Sequence, residues 1–282
     1  MATRVKSPAG NAKALAKRLI FNGPEILRNN RVFYEVQKGR ALRGVRTRPE
    51  LTPRRDLLDA LDRDGIVLVP DYLPRDQVDE MLAAAQDTME RARRGELEGD
   101  AFTVQPEIVV RVARADHLVP ATKPFFDDEV IRGVFEAYIS PDIASYRHEL
   151  EYRFGLSHMA QADLWHFDNW RPICKAFLYL VDVGEENAPF RYLKGTHRQG
   201  PWRRRHELEY DVQGPTGRFG HYFPQEIRAL REEHGWDELV CTGTAGTLIL
   251  ADFRGLHRGT PLQEGRRVLL NNTFDLMNPE AA

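Results

Sequence analysis

Cysteine is nearly absent from this 282-residue chain: Cys174 and Cys241 are the only two, far apart and in no CxxC or Cys/His spacing. That pattern excludes a disulfide framework and a structural zinc site, and both thiols are expected to be buried and reduced. Long apolar runs are missing too. The longest, such as Ile66 to Val69 and Thr247 to Ala251, are strand-length, against the ~18–20 apolar residues a bilayer-crossing helix needs. The first residues carry scattered Lys and Arg with no continuous apolar stretch before a small-residue cleavage site. A secretory signal is therefore not expected, and a cytoplasmic location is the default expectation. No repeat array or low-complexity tract is visible.

What is present suits a globular enzyme-sized domain. An apolar fraction of 42% with 29% charged residues allows a sizeable core and does not indicate disorder. One β barrel or sandwich with added helices fills this length. Charge is distributed unevenly. Residues 1–55 hold fourteen Lys or Arg against three Glu, a net +11 that leaves −13 for the remainder. Such an arm can contact anionic lipid or nucleic acid, or lie against its own acidic body. No aromatic-interleaved RNA motif or DNA-reading helix pattern accompanies it, so no nucleic-acid partner is expected. Peripheral membrane contact through the arm stays open, and so does the oligomeric state.

Periodicity gives a coarse map. Residues 1–55 read as a basic N-terminal arm with a short helix, and 56–282 as a single domain. Asp56 to Asp64 is helical by pattern, Gly65 stops it, and Ile66 to Val69 is a β-branched strand. Val78, Met81, Leu82 and Ala85 recur at helical spacing within a helix over 77–94. Thr103 to Ala113 reads as a strand or hairpin, and Asp128 to Tyr138 as a short helix. Strands are expected at 150–156, 160–165, 173–183, 190–193, 247–251 and 267–274, and short punctuated strands favour a sandwich or barrel over a parallel α/β sheet. The charged stretch 197–240 reads as an insertion at the barrel mouth, its later part helical.

His166 and Asp168 stand at i and i+2, which on an extended segment turns both side chains to one face. A third ligand must come from elsewhere in the chain. His257, after the strand at 247–251 and a turn around Gly255, is well placed. Two imidazoles and one carboxylate on one face of an octahedron leave open positions, a set suited to iron(II) that must also bind a cosubstrate and O2. Arg266 and Arg267 open the following strand, where an arginine fork could grip a dicarboxylate.

Three segments then carry a family resemblance: WHFDNW at 165–170, FLYLVDVGEENAPFRYLKGTHR at 177–198 and LHRGTPLQEGRRVLL at 256–270. Together they resemble the phytanoyl-CoA dioxygenase family of iron(II)/2-oxoglutarate oxygenases. The resemblance implies a mainly β fold with flanking helices around a double-stranded β-helix, a cupin-like jelly roll. It implies iron ligation by His166, Asp168 and His257, and a salt bridge from Arg266 to the distal carboxylate of 2-oxoglutarate. The turn before Arg266 looks short, which keeps Arg267 as a rival for that contact. Arg153 and Gln161 fall where the family often contacts cosubstrate or substrate, with Asn169, Lys175 and Tyr179 in the same class; packing roles serve equally for all of these.

Some positions depart from the family wording. Ala188 stands where Gly is usual, and Lys194 and Thr196 replace Pro and Ser. The expected activity is hydroxylation of a small polar or anionic molecule: a sugar acid, a natural-product intermediate or a lipid-linked metabolite. The expectation of an anionic substrate rests on Arg198, Arg203, Arg204, Arg205 and Arg218 in the insertion. Alternatives are a non-catalytic binding module on the same fold, or a metal-dependent oxygenase without 2-oxoglutarate.

Overall fold

The computed structural model of the protein describes residues 45–97, 99, 101–105, 107–156, 164–168, 172–198, 200, 202–203, 222 and 224–276. The chain divides into two compact units, Met1–Gly44 with Gly200–Phe219 and Val45–Gln199 with Gly220–Ala282. The second unit carries the fold and the site. The N-terminal arm up to Gly44, Gln161, Asn169, Trp170 and most of the insertion lie outside the described residues.

Helix α1 (Arg55–Asp64) buries Leu57, Leu58 and Leu61 on one stripe, and Gly65 closes it at φ 78° with its N–H on the Leu61 carbonyl. Strand β1 (Ile66–Val69) follows at once. Helix α2 (Arg75–Arg93) starts after Pro74 and buries Val78, Met81, Ala85, Met89 and Ala92, a repeat of three and four that makes one apolar face. Strands β2 (Ala101–Gln105) and β3 (Val109–Ala113) pair as a hairpin. Two single turns, α3 (Ala115–Leu118) and α4 (Lys123–Phe126), are too short to announce themselves by periodicity. Helix α5 (Glu129–Tyr138) is opened by Asp128, whose carboxylate accepts from the Val130 and Ile131 N–H groups.

Strands then dominate: β4 (Ala144–Arg153), β5 (Ile173–Tyr179) and β6 (Phe190–Leu193). After helix α6 (Pro224–His234) come β7 (Glu238–Cys241), β8 (Leu248–Asp252), β9 (His257–Arg258) and β10 (Arg267–Asp275). Strand β7 begins inside the stretch expected as an insertion and ends just past it. Of the strand expected at 160–165 only Leu164 and Trp165 are described, and Trp165 bridges to Tyr222. No helix among the described residues is long and apolar enough to cross a membrane.

Seven strands form one antiparallel sheet in the order β1-β8-β5-β10-β4-β3-β2, and three form a second, β7-β6-β9. The pair makes a double-stranded β-helix. Alternation along each long strand sorts its side chains into two layers. Cys174, Ala176 and Leu178 of β5, Leu248 and Leu250 of β8, and Val268 and Leu270 of β10 join the core beneath the helices. Phe177, Tyr179, Ile249, Ala251 and Leu269 face Phe190 and Tyr192 of the smaller sheet. Both cysteines are buried free thiols.

Gly65 is needed twice over. Besides its positive φ, a Cβ there would lie 2.4 Å from both the His197 ring and the Tyr192 hydroxyl, whereas a Cβ at Gly95 (φ 73°) would meet nothing within 4 Å. Gly95→Ala should therefore cost only the left-handed backbone penalty, about 1–2 kcal/mol. Gly65→Ala adds overpacking and should cost about 3 kcal/mol or more. Urea unfolding of the two variants side by side checks this, and equal losses would refute the close-approach argument.

Candidate metal centre

His166 and His257 exchange both backbone hydrogen bonds, His166 N–H to the His257 carbonyl at 2.9 Å and His257 N–H to the His166 carbonyl at 2.8 Å. Directly opposed residues of an antiparallel pair send their side chains to the same face. The rings accordingly sit 4.4 Å apart between centroids. Asp168 lies two residues on, anchored by its N–H to the Phe253 carbonyl at 3.0 Å. Its Oδ1 is 3.7 Å from His166 Nε2 and 3.4 Å from His257 Nε2. The three ligand atoms all lie within 4.8 Å of one another.

The rings are oriented for metal binding. His166 Nδ1 is 2.8 Å from the Leu164 carbonyl oxygen, and His257 Nδ1 is 2.9 Å from that of Gly255. A carbonyl only accepts, so each Nδ1 carries the proton and each Nε2 turns a lone pair toward the shared centre. Phe253 and Phe190 pack around the buried His257 ring at 4.2 and 5.5 Å. Lys175 of β5 donates to Asp168 Oδ2 at 2.7 Å and lies 3.9 Å over the Phe253 ring. Burial pushes the Asp168 carboxyl up, but the Lys175 charge and the His257 contact overcome it and hold the group well below the usual carboxylate range.

The triad opens into a cavity of about 230 Å³. Its floor is the inner face of the large sheet, and that face is charged: Arg111 of β3, Arg147, Glu149, Glu151 and Arg153 of β4, and Arg267 and Asn271 of β10 line it. Glu151 accepts from Arg111 Nε at 2.7 Å and from Arg267. Burial pushes the Glu151 carboxyl up, and these arginines override that and hold it below the usual range. Arg153 donates to the Thr260 carbonyl at 2.8 Å, and Arg267 also to the Ala188 carbonyl.

Arg266 is corrected by this geometry. It is exposed at the head of β10, while Arg267 is 6% exposed and shares its face with Leu269 and Asn271 along the cavity. The strand that follows is apolar at Val268, Leu269 and Leu270 alike, so its pattern could not say which parity faces in. Arg153 lines the cavity beside Arg267, its register partner. Gln161 lies outside the described residues. Tyr179 is fully buried and donates to the Cys241 carbonyl, a packing role.

Positive charge at the cavity comes from the sheet. The insertion arginines contribute none of its described lining, and Arg198 donates instead to the Asp62 carbonyl. Sequence reasoning missed Arg111, Arg147, Glu149 and Glu151. The alternation R-x-E-x-E-x-R at 147–153 was the available signal, but an alternating charged strand ordinarily reads as a solvated face. Two departures from the family wording are absorbed locally. Ala188 adopts φ 59°, the conformation a glycine would take freely. Thr196 supplies the hydroxyl that donates to the Leu193 carbonyl and accepts from the Leu256 N–H.

Behind the ligands, Asp252 and Arg254 hold the turn that supplies the Phe253 and Gly255 carbonyls. Asp252 is fully buried, bonded by Arg254 and by the Tyr138 hydroxyl. Burial raises the Asp252 carboxyl, and Arg254 more than offsets this, holding it below the usual carboxylate range. A carboxylate made more acidic by folding contributes stability above its unfolded value, and loses it as pH falls through its folded value. Arg254→Met should cost about 3 kcal/mol or more at pH 7. The gap from the parent protein should shrink as pH falls through the acid range, because the unpaired Asp252 takes up a proton first. Denaturation at pH 7 and pH 3.5 measures both; a constant gap would show that the charge pair is not responsible. Separately, His166→Gln, Asp168→Asn and His257→Gln should each weaken cobalt(II) binding, followed by its visible bands, by about 100-fold or more.

Residues 61–267 match the model of the family described as phytanoyl-CoA dioxygenase (PhyH). Among curated proteins no sequence match was found. Solved structures share the fold at low identity. The chain is similar to EctD from S. alaskensis, solved with 2-oxoglutarate and 5-hydroxyectoine, at 18% identity and TM-score 0.60 over 80% of this chain and 76% of that one. It is also similar to AviO1 from Streptomyces viridochromogenes Tue57, at 17% and 0.54 over 79% and 94%. A third is the non-heme alpha ketoglutarate dependent epimerase SnoN from nogalamycin biosynthesis, at 16% and 0.51 over 78% and 81%.

Proposed function

The chain belongs to the phytanoyl-CoA dioxygenase family, and on that premise we propose that it is an iron(II)- and 2-oxoglutarate-dependent oxygenase that hydroxylates a small polar or anionic molecule. The observation that carries the reading is the convergence of His166, Asp168, His257 and Arg267 on one cavity.

The donor set fits iron(II). Two Nε2 lone pairs and one ionised carboxylate supply three ligands on one side, and no fourth His, Cys, Asp or Glu joins the group among the described residues. When bound, iron(II) and 2-oxoglutarate supply the activation of O2, with the cosubstrate converted to succinate and CO2.

The protein's own residues do the rest. Leu164 and Gly255 carbonyls fix the ring tautomers, so the imidazoles need no reorientation to bind metal. Lys175 keeps Asp168 ionised and takes one of its oxygens, leaving Oδ1 on the side of the two imidazoles. Phe177, Phe190 and Phe253 line the cavity around His257 and keep that wall free of competing donors. Arg267, already charged and fixed by Glu151 and the Ala188 carbonyl, presents a planar cation suited to a carboxylate. Asp168 fills with a carboxylate the iron position that a halogenating relative would leave free for chloride, which supports oxygenation over halogenation. The charged sheet face supports a polar substrate.

Anaerobic mixing with iron(II) and 2-oxoglutarate should produce the weak visible charge-transfer band of a chelated iron complex. Arg267→Lys keeps charge for Glu151 but loses the fork, and should raise the 2-oxoglutarate concentration for half-saturation by about tenfold or more. Arg266→Gln should leave it unchanged. Stoichiometric iron without a band would favour an oxygenase that does not use 2-oxoglutarate.

A further inference from the structure

We propose that the β4 side of the cavity is the substrate-recognition site, built on Glu149 and Arg147, and that the substrate is a small organic anion bearing a hydroxyl or ammonium group. The inference rests on the oxygenase reading and names the substrate class for that same site.

Glu149 is 2% exposed and lines the cavity. Its Oε2 accepts from Asn271 Nδ2 at 2.7 Å. Its Oε1 is buried and has no hydrogen-bond partner. Arg147 Nε stands 3.8 Å from Oε1, an ion-pair distance too long for a hydrogen bond. An orphaned buried carboxylate oxygen is costly, and native folds rarely keep one without a use.

Register explains why the protein leaves that oxygen open. Asn271 is the partner of Glu149 on β10 and is committed to Oε2, while the partner on β3 is Ala113, which offers only a methyl group. Neither neighbouring strand therefore offers Oε1 a donor, although the residue that carries it lines the cavity.

The missing group must be a donor, and it must tolerate a cation beside it. Arg147 lies on the same face two residues away, its side chain 53% exposed. A ligand whose hydroxyl or ammonium meets Oε1 therefore brings any neighbouring carboxylate or phosphate against Arg147. A purely apolar substrate would leave Oε1 desolvated. A simple anion would meet the Glu149 carboxylate with nothing to donate.

Placement agrees with oxidation at the metal. Arg147 and Lys175 are both register partners of Thr273, on opposite sides of β10. They are two strand spacings apart, about 10 Å, and Lys175 is bonded to the ligand Asp168. A short molecule held at Glu149 and Arg147 spans that gap. Arg267 lies four residues along β10 from Asn271, about 13 Å, so cosubstrate and substrate anchors do not compete.

The test uses the full chain loaded anaerobically with iron(II) and 2-oxoglutarate. The probes are 3-hydroxybutyrate and 4-aminobutyrate, set against butyrate, which lacks the donor, and methyl 3-hydroxybutyrate, which lacks the anion. Half-saturation is read from ligand-observed NMR and from perturbation of the charge-transfer band. At least one bifunctional probe should bind about tenfold or more tightly than both controls, and E149Q and R147Q should each remove that advantage while the unperturbed band persists. Butyrate binding as well as the bifunctional probes, no binding by either bifunctional probe, or an unchanged preference in E149Q would each overturn the proposal. If the parent protein shows no band at all, the 2-oxoglutarate-dependent reading has failed and this inference falls with it; a normal band with any of those probe results overturns this inference alone.

Discussion

Two backbone hydrogen bonds, exchanged between His166 and His257, are the constraint on which the candidate metal centre depends. They are residues 91 positions apart in the numbering, and nothing local brings them together. The antiparallel pairing does so and sets both rings on one face, after which the Leu164 and Gly255 carbonyls fix the tautomers. Asp168 joins because its own N–H is held by the Phe253 carbonyl. The three candidate ligands thus inherit their geometry from main-chain bonds, which tolerate little displacement and preorganise the site.

That pairing is supported from behind by the buried Asp252, Arg254 and Tyr138 cluster, and from the side by packing of Phe190 and Phe253 on His257. The turn from Asp252 to His257 is therefore a rigid piece whose carbonyls serve the ligands. Gly65 and Gly255 let Tyr192 approach this turn: a Cβ at either would collide with its hydroxyl, which donates to the Asp252 carbonyl. Packing, backbone and site form one continuous arrangement.

The large sheet solves a second problem by alternation. Each long strand must hide one face under helices and offer the other to a polar reaction, so β4 alternates Leu150 and Tyr152 with Glu149, Glu151 and Arg153. Charges buried in this way remain only if paired. Glu151 between Arg111 and Arg267 satisfies that rule with hydrogen bonds, whereas Glu149 has only the longer 3.8 Å ion pair to Arg147 at Oε1 and no hydrogen bond there. The two carboxylates on one strand thus differ in how completely the fold itself satisfies them.

The sequence by itself determined a good deal. Gly65 ending a helix, Ile66 to Val69 as a strand, the buried thiols, and His166 with Asp168 at a two-residue spacing were all legible, because each is a local consequence of dihedral preference or periodicity. The partnership with His257 was readable from order and spacing along a familiar pattern. Short turns such as α3 and α4 were not, since four residues carry no period. Which of Arg266 and Arg267 faces the cavity was not legible either: an apolar run hides the parity, and only the register with β4 and the burial of Arg267 show it. The charged stripe on β4 is the plainest case, because a sequence shows that charges alternate, whereas only the second sheet packed opposite decides that this face is interior.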